Sequence, residues 1–390
     1  MKFHLSMFAV LFFSSMALGS WYLWSQLVSM LPWRSRQIKV FWALLLVAFW
    51  GLIFWVQLAF HSIPSQISGN VFYLSYGLLG VWAIFIMGMA FFDVLRFPFW
   101  LKGGRGPLKS FFMPERREFL TTMKDVGVAS FTLGSSASGS SDFFLTPKVE
   151  KIQIPLRPEH KFMAGFTIVQ VTDIHIGPLL KKEFAQYIVD TTNALSPDLV
   201  AVTGDLADGA PEELELDIAP FKNFKSRLGT VYCPGNHEIY SGHERWMKAA
   251  SGLGWRVHLN THEVLEVNGG PLAIGGVYDY SIDRHYPELT SSPLKAFENA
   301  PANAYRLLLA HQPRNCFEAQ TAGTHLQLSG HTHGGQFFPW SLVVYLAHPY
   351  VKGLHEHSEN FFVYVSKGTG WWGPPNRFGV PAEITHITFV

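Results

Sequence analysis

Charge and cysteine are both scarce in this chain. Asp, Glu, Lys and Arg make up 15% of its 390 residues, against a hydrophobic share of 48%. A polypeptide so poor in charge and so rich in apolar side chains is not a disordered one. Two cysteines, Cys233 and Cys316, exclude a disulfide scaffold and a Cys-rich metal site. Both read as small buried apolar residues. No internal repeat is present. The near-balance of 30 basic and 29 acidic residues hides a division: residues 1–150 hold 12 basic and 6 acidic residues, the remainder 18 and 23. A net of +6 therefore precedes a net of −5, and the acidic part lacks the basic surface that a nucleic acid requires. No nucleic-acid partner is expected.

Formal charge is missing altogether from Phe3 to Trp33 and again from Val40 to Phe92. The second run, at 53 residues, is too long for one crossing, and turn-forming residues from His61 to Asn70 divide it. Crossing the hydrocarbon core takes roughly 20 apolar residues. Residues 1–100 therefore read as a transmembrane region of three helices, at about 5–31, 40–60 and 71–95. A secretory peptide is the rival for the first, but its apolar run is long and no A-x-A-like site follows. A buried helical hairpin of a soluble protein would need a charged face that these segments lack.

Arg34, Arg36 and Lys39 follow the first span, and seven basic residues from Arg96 to Lys124 follow the third. Positive loops stay inside, so both segments are expected in the cytoplasm and the amino terminus outside. Residues 101–150 read as a basic linker. Within it, Arg116-Arg117-Glu118-Phe119-Leu120 is similar to a twin-arginine export signal, followed by the weakly apolar stretch 126–134 and the small-residue run 135–141. Glu115 stands where Ser or Thr is usual, and Lys124 and Asp125 interrupt the segment. The expected arrangement is a fourth crossing there, which puts the carboxy-terminal domain outside the cytoplasmic membrane; the alternative, a solvated linker, would leave it in the cytoplasm.

Residues 151–390 are long enough for one substantial core. Strand patterns at 167–173, 199–205 and 229–236 alternate with helical patterns at 180–195, 211–226 and 242–252, and strand-rich sequence follows. The expected architecture is an α/β domain of two packed β-sheets flanked by helices. The polar residues fall at the strand ends: Asp173 and His175, Asp205, Asn236 and His237, His311, then His331 and His333. Sites in α/β folds form beyond the carboxyl ends of strands, so five such turns can converge. Asp173, His175, Asp205, Asn236, His311, His331 and His333 offer carboxylates, an amide oxygen and imidazoles without a thiolate. That donor set suits divalent Mn, Fe or Zn. Seven side chains suffice for two ions if one carboxylate is shared. Two ions about 3.5–4 Å apart can hold a hydroxide and clamp the oxygens of an in-line phosphoryl displacement.

The motifs Asp173-Ile-His175, Gly204-Asp205, Gly235-Asn-His-Glu238, His311 and Gly330-His-Thr-His333 resemble, in this order, those of the calcineurin-like metallophosphoesterase superfamily. The fuller Thr203-Gly-Asp-Leu-Ala-Asp-Gly209 and Gly330-His-Thr-His-Gly-Gly-Gln336 are similar to its membrane-associated bacterial phosphodiesterase branch, which includes UDP-2,3-diacylglucosamine pyrophosphatases. Tyr364–Gly368, Arg377 and Pro381–Ile384 look similar to that branch too. The resemblance implies a double β-sandwich flanked by helices and two divalent metal ions. It puts Asp173, His175, Asp205 and His333 on one ion, and Asn236, His311 and His331 with the bridging Asp205 on the other. It makes His237 the catalytic imidazole that faces the phosphate, able to stabilise the transition state or protonate the leaving oxygen.

Other polar and aromatic residues each admit two readings. Asp208 could orient a metal ligand or cap a helix. Arg377 could contact a substrate phosphate or make a surface ion pair. His355 and His357 alternate as on a strand face, and Trp371 and Trp372 could meet a membrane interface or pack under a loop. Together these readings make the chain a membrane-tethered hydrolase of a phosphodiester or pyrophosphate bond, with a membrane lipid or lipid-linked phosphate as partner. A cytoplasmic-face UDP-2,3-diacylglucosamine pyrophosphatase-like enzyme of lipid synthesis is the alternative within that class. A non-catalytic membrane scaffold or sensor is the alternative outside it.

Overall fold

The computed structural model describes residues 17–22, 24–25, 36–59, 65–103, 114–141 and 145–390. The chain divides into two compact units, Met1–Ser136 and Ala137–Val390.

In the first unit, helices run over Arg36–Ala59 and Ser65–Gly103, and a third, Pro114–Gly139, begins there. Among the described residues one segment, Gly69–Leu95, is long and apolar enough to cross a membrane. Its 27 residues, at about 1.5 Å per residue, exceed the roughly 30 Å hydrocarbon core. The expected third span falls on it. The expected second span falls on Arg36–Ala59, and most of the first lies outside the described residues. Residues 114–139, which the sequence suggested were linker, form one helix despite their Gly and Ser content.

The second unit holds twelve strands in two six-stranded sheets. In chain order they are β1 (Lys148–Ile154), β2 (Thr167–Val171), β3 (Leu199–Thr203), β4 (Thr230–Cys233), β5 (Arg256–Val257), β6 (Thr261–Val267), β7 (Gly270–Gly276), β8 (Tyr305–Leu309), β9 (Leu326–Ser329), β10 (Gly353–Ser358), β11 (Phe361–Val365) and β12 (Glu383–Phe389). One sheet runs β1-β12-β2-β3-β4-β5, the other β10-β11-β9-β8-β7-β6. β2, β3 and β4 are mutually parallel, as are β7, β8 and β9. The first sheet starts at Lys148, just ahead of the boundary that composition suggested.

Strand alternation explains the layers, because successive side chains point to opposite faces. Ile168, Leu199, Ala201, Val231 and Cys233 of one sheet pack with Leu272, Ile274, Leu307, Leu309 and Leu328 of the other, forming the inner core. The intervening Val169, Val171, Val200, Val202 and Tyr232 face helices Lys182–Ala194 and Asn236–Gly252. Across the molecule, Ala273, Leu308 and Val363 face Ala296, Cys316 and Ala319. The result is two helix layers around a double sheet, as expected. Both cysteines are free and buried, one in each kind of interface.

Candidate metal centre

Every motif residue sits just past a strand end. Asp173 and His175 follow β2, Asp205 follows β3, and Asn236 and His237 follow β4 and open helix Asn236–Gly252. His311 follows β8, and His331 and His333 follow β9. Since β2–β4 are parallel in one sheet and β8–β9 in the other, these ends gather at one rim of the sandwich. The two sheets are tied there: His311 Nδ1 lies 2.7 Å from the Thr203 carbonyl, and His331 N–H donates to Asp173 Oδ1 at 2.9 Å.

Holding so many donors inward strains the backbone. Asp173, His175, Asp205, His331 and His333 all have φ between 50° and 70°. Non-glycine residues seldom adopt such angles, and where they cluster a site is usually responsible. The turns leave no room for side chains beside them. A Cβ on Gly330 would lie 2.1 Å from Asp173 Oδ2, and one on Gly235 would lie 2.2 Å from Asp205 Oδ1.

Three groups of side chains come close enough to hold an ion: Asp173, His175 and His333; Asp205, His311 and His331; and His175, Asp208 and His237. The first two are built from the expected donors alone. In the first, His175 Nε2 and His333 Nε2 face each other at 3.0 Å, and His333 Nε2 is 3.3 Å from Asp173 Oδ1. In the second, Asn236 Oδ1 is 2.9 Å from His331 Nδ1. Asp205 Oδ2 lies 3.1 Å from His311 Nε2 and 3.9 Å from His175 Nε2, so it stands between the groups. His311 Nε2 is buried and, despite that short approach to Asp205, makes no hydrogen bond of acceptable geometry.

Divalent cations would suit this arrangement. Burial raises the affinity of Asp173 for a proton, and Asp205 raises it further. Burial holds His331 and His333 well below the usual histidine range, which leaves them neutral with lone pairs available. Oxygen and imidazole donors, an unsatisfied buried ring nitrogen and two crowded carboxylates are what a divalent ion would satisfy. The residues present therefore fit divalent metal ions, and the carboxylate between the groups is placed to be shared.

Around the donors lies a layer of fixed hydrogen bonds. Asp208 Oδ1 is 2.9 Å from His175 Nδ1 and 2.6 Å from His237 Nδ1. Helix Pro211–Ile218 has Ala210 at its N-cap and no side-chain cap, so Asp208 orients imidazoles and does not cap. Burial opposes ionisation of Asp208, but His175 and His237 outweigh it and hold the carboxyl well below its ordinary range. His237 is half-buried. Burial lowers its proton affinity, but Asp205 and Asp208 more than offset this and raise it to about 9. Its backbone N–H donates to Asp205 Oδ1 at 2.8 Å.

Two placements were not foreseen. Glu238 is fully buried and accepts from the N–H groups of Asp205, Leu206 and Gly235 at 3.0, 2.7 and 2.7 Å. It locks the β3 and β4 turns together. The Gly235-x-x-Glu238 spacing of a capping box was its signal. Arg377 requires a correction. It has 0% exposure and does not reach out toward a phosphate. Its guanidinium donates to the carbonyls of Lys367, Gly370 and His333 and approaches His333 Nδ1 at 3.2 Å. Burial pulls it down to about 10, so it remains charged behind the cluster. Trp371 packs on the core beside Phe184, whereas Trp372 is exposed. His355 and His357 sit on β10 with local partners, Lys352 O and Tyr350 Oη.

A two-sheet sandwich whose strand ends bring together side chains that could hold metal ions is the arrangement of a metal-dependent phosphoester hydrolase. Residues 166–335 match the calcineurin-like phosphoesterase family. An uncharacterized metallophosphoesterase of Helicobacter pylori is 36% identical over 71% of this chain and 73% of its own length. A Danio rerio protein called a transmembrane protein with metallophosphoesterase domain is 30% identical over 96% of this chain and 87% of its own. An uncharacterized metallophosphoesterase of Campylobacter jejuni is 35% identical over 61% of this chain and 62% of its own length. The chain belongs to the calcineurin-like metallophosphoesterases.

Proposed function

We propose that this protein is a membrane-tethered, dimetal phosphoesterase that hydrolyses a phosphodiester or pyrophosphate bond of a lipid-linked or envelope substrate. The observation that carries the reading is the position of Asp205, whose Oδ2 stands 3.1 Å from His311 and 3.9 Å from His175, between two otherwise separate donor groups. Asp173, His175 and His333 would hold one ion, and Asn236, His311 and His331 the other, with Asp205 shared. Bound there, the ions would supply a nucleophilic water at neutral pH and neutralise phosphoryl charge.

The chain's own residues do the rest. His237 Nδ1 is engaged by Asp208, which leaves the opposite ring nitrogen, 3.9 Å from Asp205 Oδ2, as the working edge. Asp205 and Asp208 raise the proton affinity of this imidazole, which favours the protonated form that can serve a leaving oxygen. Arg377 and Glu238 fix the turns and hold no substrate. The apolar segment Gly69–Leu95 supports tethering, and so does the Danio rerio relative named a transmembrane protein. Tethering confines enzyme and lipid substrate to one layer and raises their effective concentration.

The test uses the full chain purified in detergent, with metal content and bis(4-nitrophenyl) phosphate hydrolysis measured on one preparation. About two divalent ions per chain and metal-dependent turnover are expected. Absence of bound metal together with no turnover after Mn addition would overturn the reading.

A further inference from the structure

Immediately after the last two metal-donor histidines the chain loses charge again. Residues 334–351 contain no Asp, Glu, Lys or Arg, yet this stretch is not core. Phe338, Trp340, Leu342, Val343, Tyr345 and Leu346 are all exposed, Leu346 to 89%. Helix Ser341–Ala347 presents most of them. Scattered exposed leucines need no explanation, but six exposed large apolar side chains within the nine residues 338–346 do.

The run continues toward the metal centre. Gln336 donates to the carbonyl of Trp372 at 2.7 Å and accepts from its N–H at 3.1 Å. The exposed Trp372 ring in turn lies 6.0 Å from that of His237. An apolar, aromatic rim thus leads from the catalytic imidazole to the exposed helix. Its chemistry selects the occupant. Trp and Tyr among aliphatic side chains are the composition of a membrane interface, where amphipathic rings sit at headgroup level. Acidic residues are missing from 334 to 355, while Arg314 hydrogen-bonds the Ala347 carbonyl and Lys352 stands exposed just beyond. Those cations at the edge complement anionic headgroups. The chain also carries its own candidate span, Gly69–Leu95, which would keep a bilayer within reach.

We propose that residues 338–347, with Trp372, lie in the headgroup region of a bilayer and present the metal centre to phosphates of lipids in that layer. This deepens the proposed function and rests on its membrane assignment, but its readout needs no turnover.

The experiment uses the full chain in vesicles containing phosphatidylglycerol. Leu346→Cys is labelled with an environment-sensitive fluorophore, and both native cysteines are buried. Leu216→Cys, at an equally open leucine on helix Pro211–Ile218, is the control. Lipids bearing a nitroxide on the acyl chain should quench the label at 346 about twofold or more beyond that at 216. Equal quenching at the two positions would overturn the proposal. So would a label at 346 shielded from aqueous iodide yet untouched by nitroxide lipid, since protein would then cover the patch. Hydrolysis of bis(4-nitrophenyl) phosphate is scored separately. Strong quenching upholds the surface even if that hydrolysis fails, and hydrolysis without quenching overturns the surface alone.

Discussion

Asp208 holds two imidazoles with one oxygen: Oδ1 is 2.9 Å from His175 Nδ1 and 2.6 Å from His237 Nδ1. A donor of the first metal group and the residue assigned to proton transfer are therefore oriented by the same carboxylate. Asp208→Asn keeps the shape but removes the charge that raises His237. Outer partners of this kind are worth about 10–100-fold in activity or metal affinity. If protonated His237 is the working form, activity falls as pH rises through its pKa. In the Asn variant burial acts against less opposition, so that alkaline limb should move to lower pH. A pH–rate profile with an unmoved limb would remove His237 as the acid.

His237→Ala should lower turnover by roughly 10²–10⁴-fold while metal content stays at the wild-type level, because the ring is assigned no coordination bond. Metal analysis and rate on one preparation separate this from the alternative. If metal and activity fall together, the imidazole is a ligand.

Asp205 and His175 should differ in kind. Asp205→Ala removes the carboxylate between the groups, so both ions should be lost. His175→Ala removes one donor from the first group, and the second should keep its ion. Elemental analysis of the two variants decides the bridge; full metal content in Asp205→Ala would show the assignment to be wrong.

The site was legible in the sequence because its chemistry is local. Each donor lies within a few residues of a strand end, and strand ends announce themselves where β-branched runs stop at Gly and Asp, as at Val202-Thr203-Gly204-Asp205. The helix-and-sheet layers were legible for the same reason, through the alternation in β2 and β3. What surrounds the donors was not. Arg377 meets carbonyls from two loops, at Lys367–Gly370 and His333, and no spacing rule reports such a meeting. Guanidinium groups usually seek carboxylates or solvent, so the reading of a phosphate contact followed the common case. Asp208 left two roles open, and only the approach of His175 from one turn and His237 from another decides between them. Helix Pro114–Gly139 was hidden by its Gly and Ser residues, which disfavour helix by intrinsic propensity.

Gly330 offers a sharper test of the strained turns. A methyl group there would lie 2.1 Å from Asp173 Oδ2 and 2.4 Å from Thr172 Oγ1. Thr172 Oγ1 donates to that same Asp173 oxygen at 2.8 Å, so neither atom can yield without disturbing the other. Gly330→Ala should cost about 1–3 kcal/mol in stability, as overpacking does. It should also empty the group of Asp173, His175 and His333 before that of His311 and His331. Thermal melting and metal stoichiometry together read the effect, and a variant with unchanged metal content would show that Asp173 is free to move.

If the chain is tethered as proposed, the face of the membrane that the catalytic unit occupies depends on residues 114–141. Arg116-Arg117 open helix Pro114–Gly139, and this helix continues without a break through the weakly apolar stretch 126–134. Lys124 and Asp125 pair at 3.1 Å. Charged residues at a helix centre cost about 2.5–3.5 kcal/mol each on insertion, so even a paired Lys124 and Asp125 leave this a poor spontaneous span. Weak hydrophobicity behind a double arginine is what a dedicated export route would tolerate. Replacing Arg116 and Arg117 by lysine should then leave the earlier apolar helices inserted and strand the catalytic unit in the cytoplasm. Protease added outside spheroplasts should digest the wild-type catalytic unit and spare the variant's. A wild-type unit that is protected would instead lie in the cytoplasm. The site would then face nucleotide-linked precursors of lipids, and the pyrophosphate bond of such a precursor would become the substrate to test first.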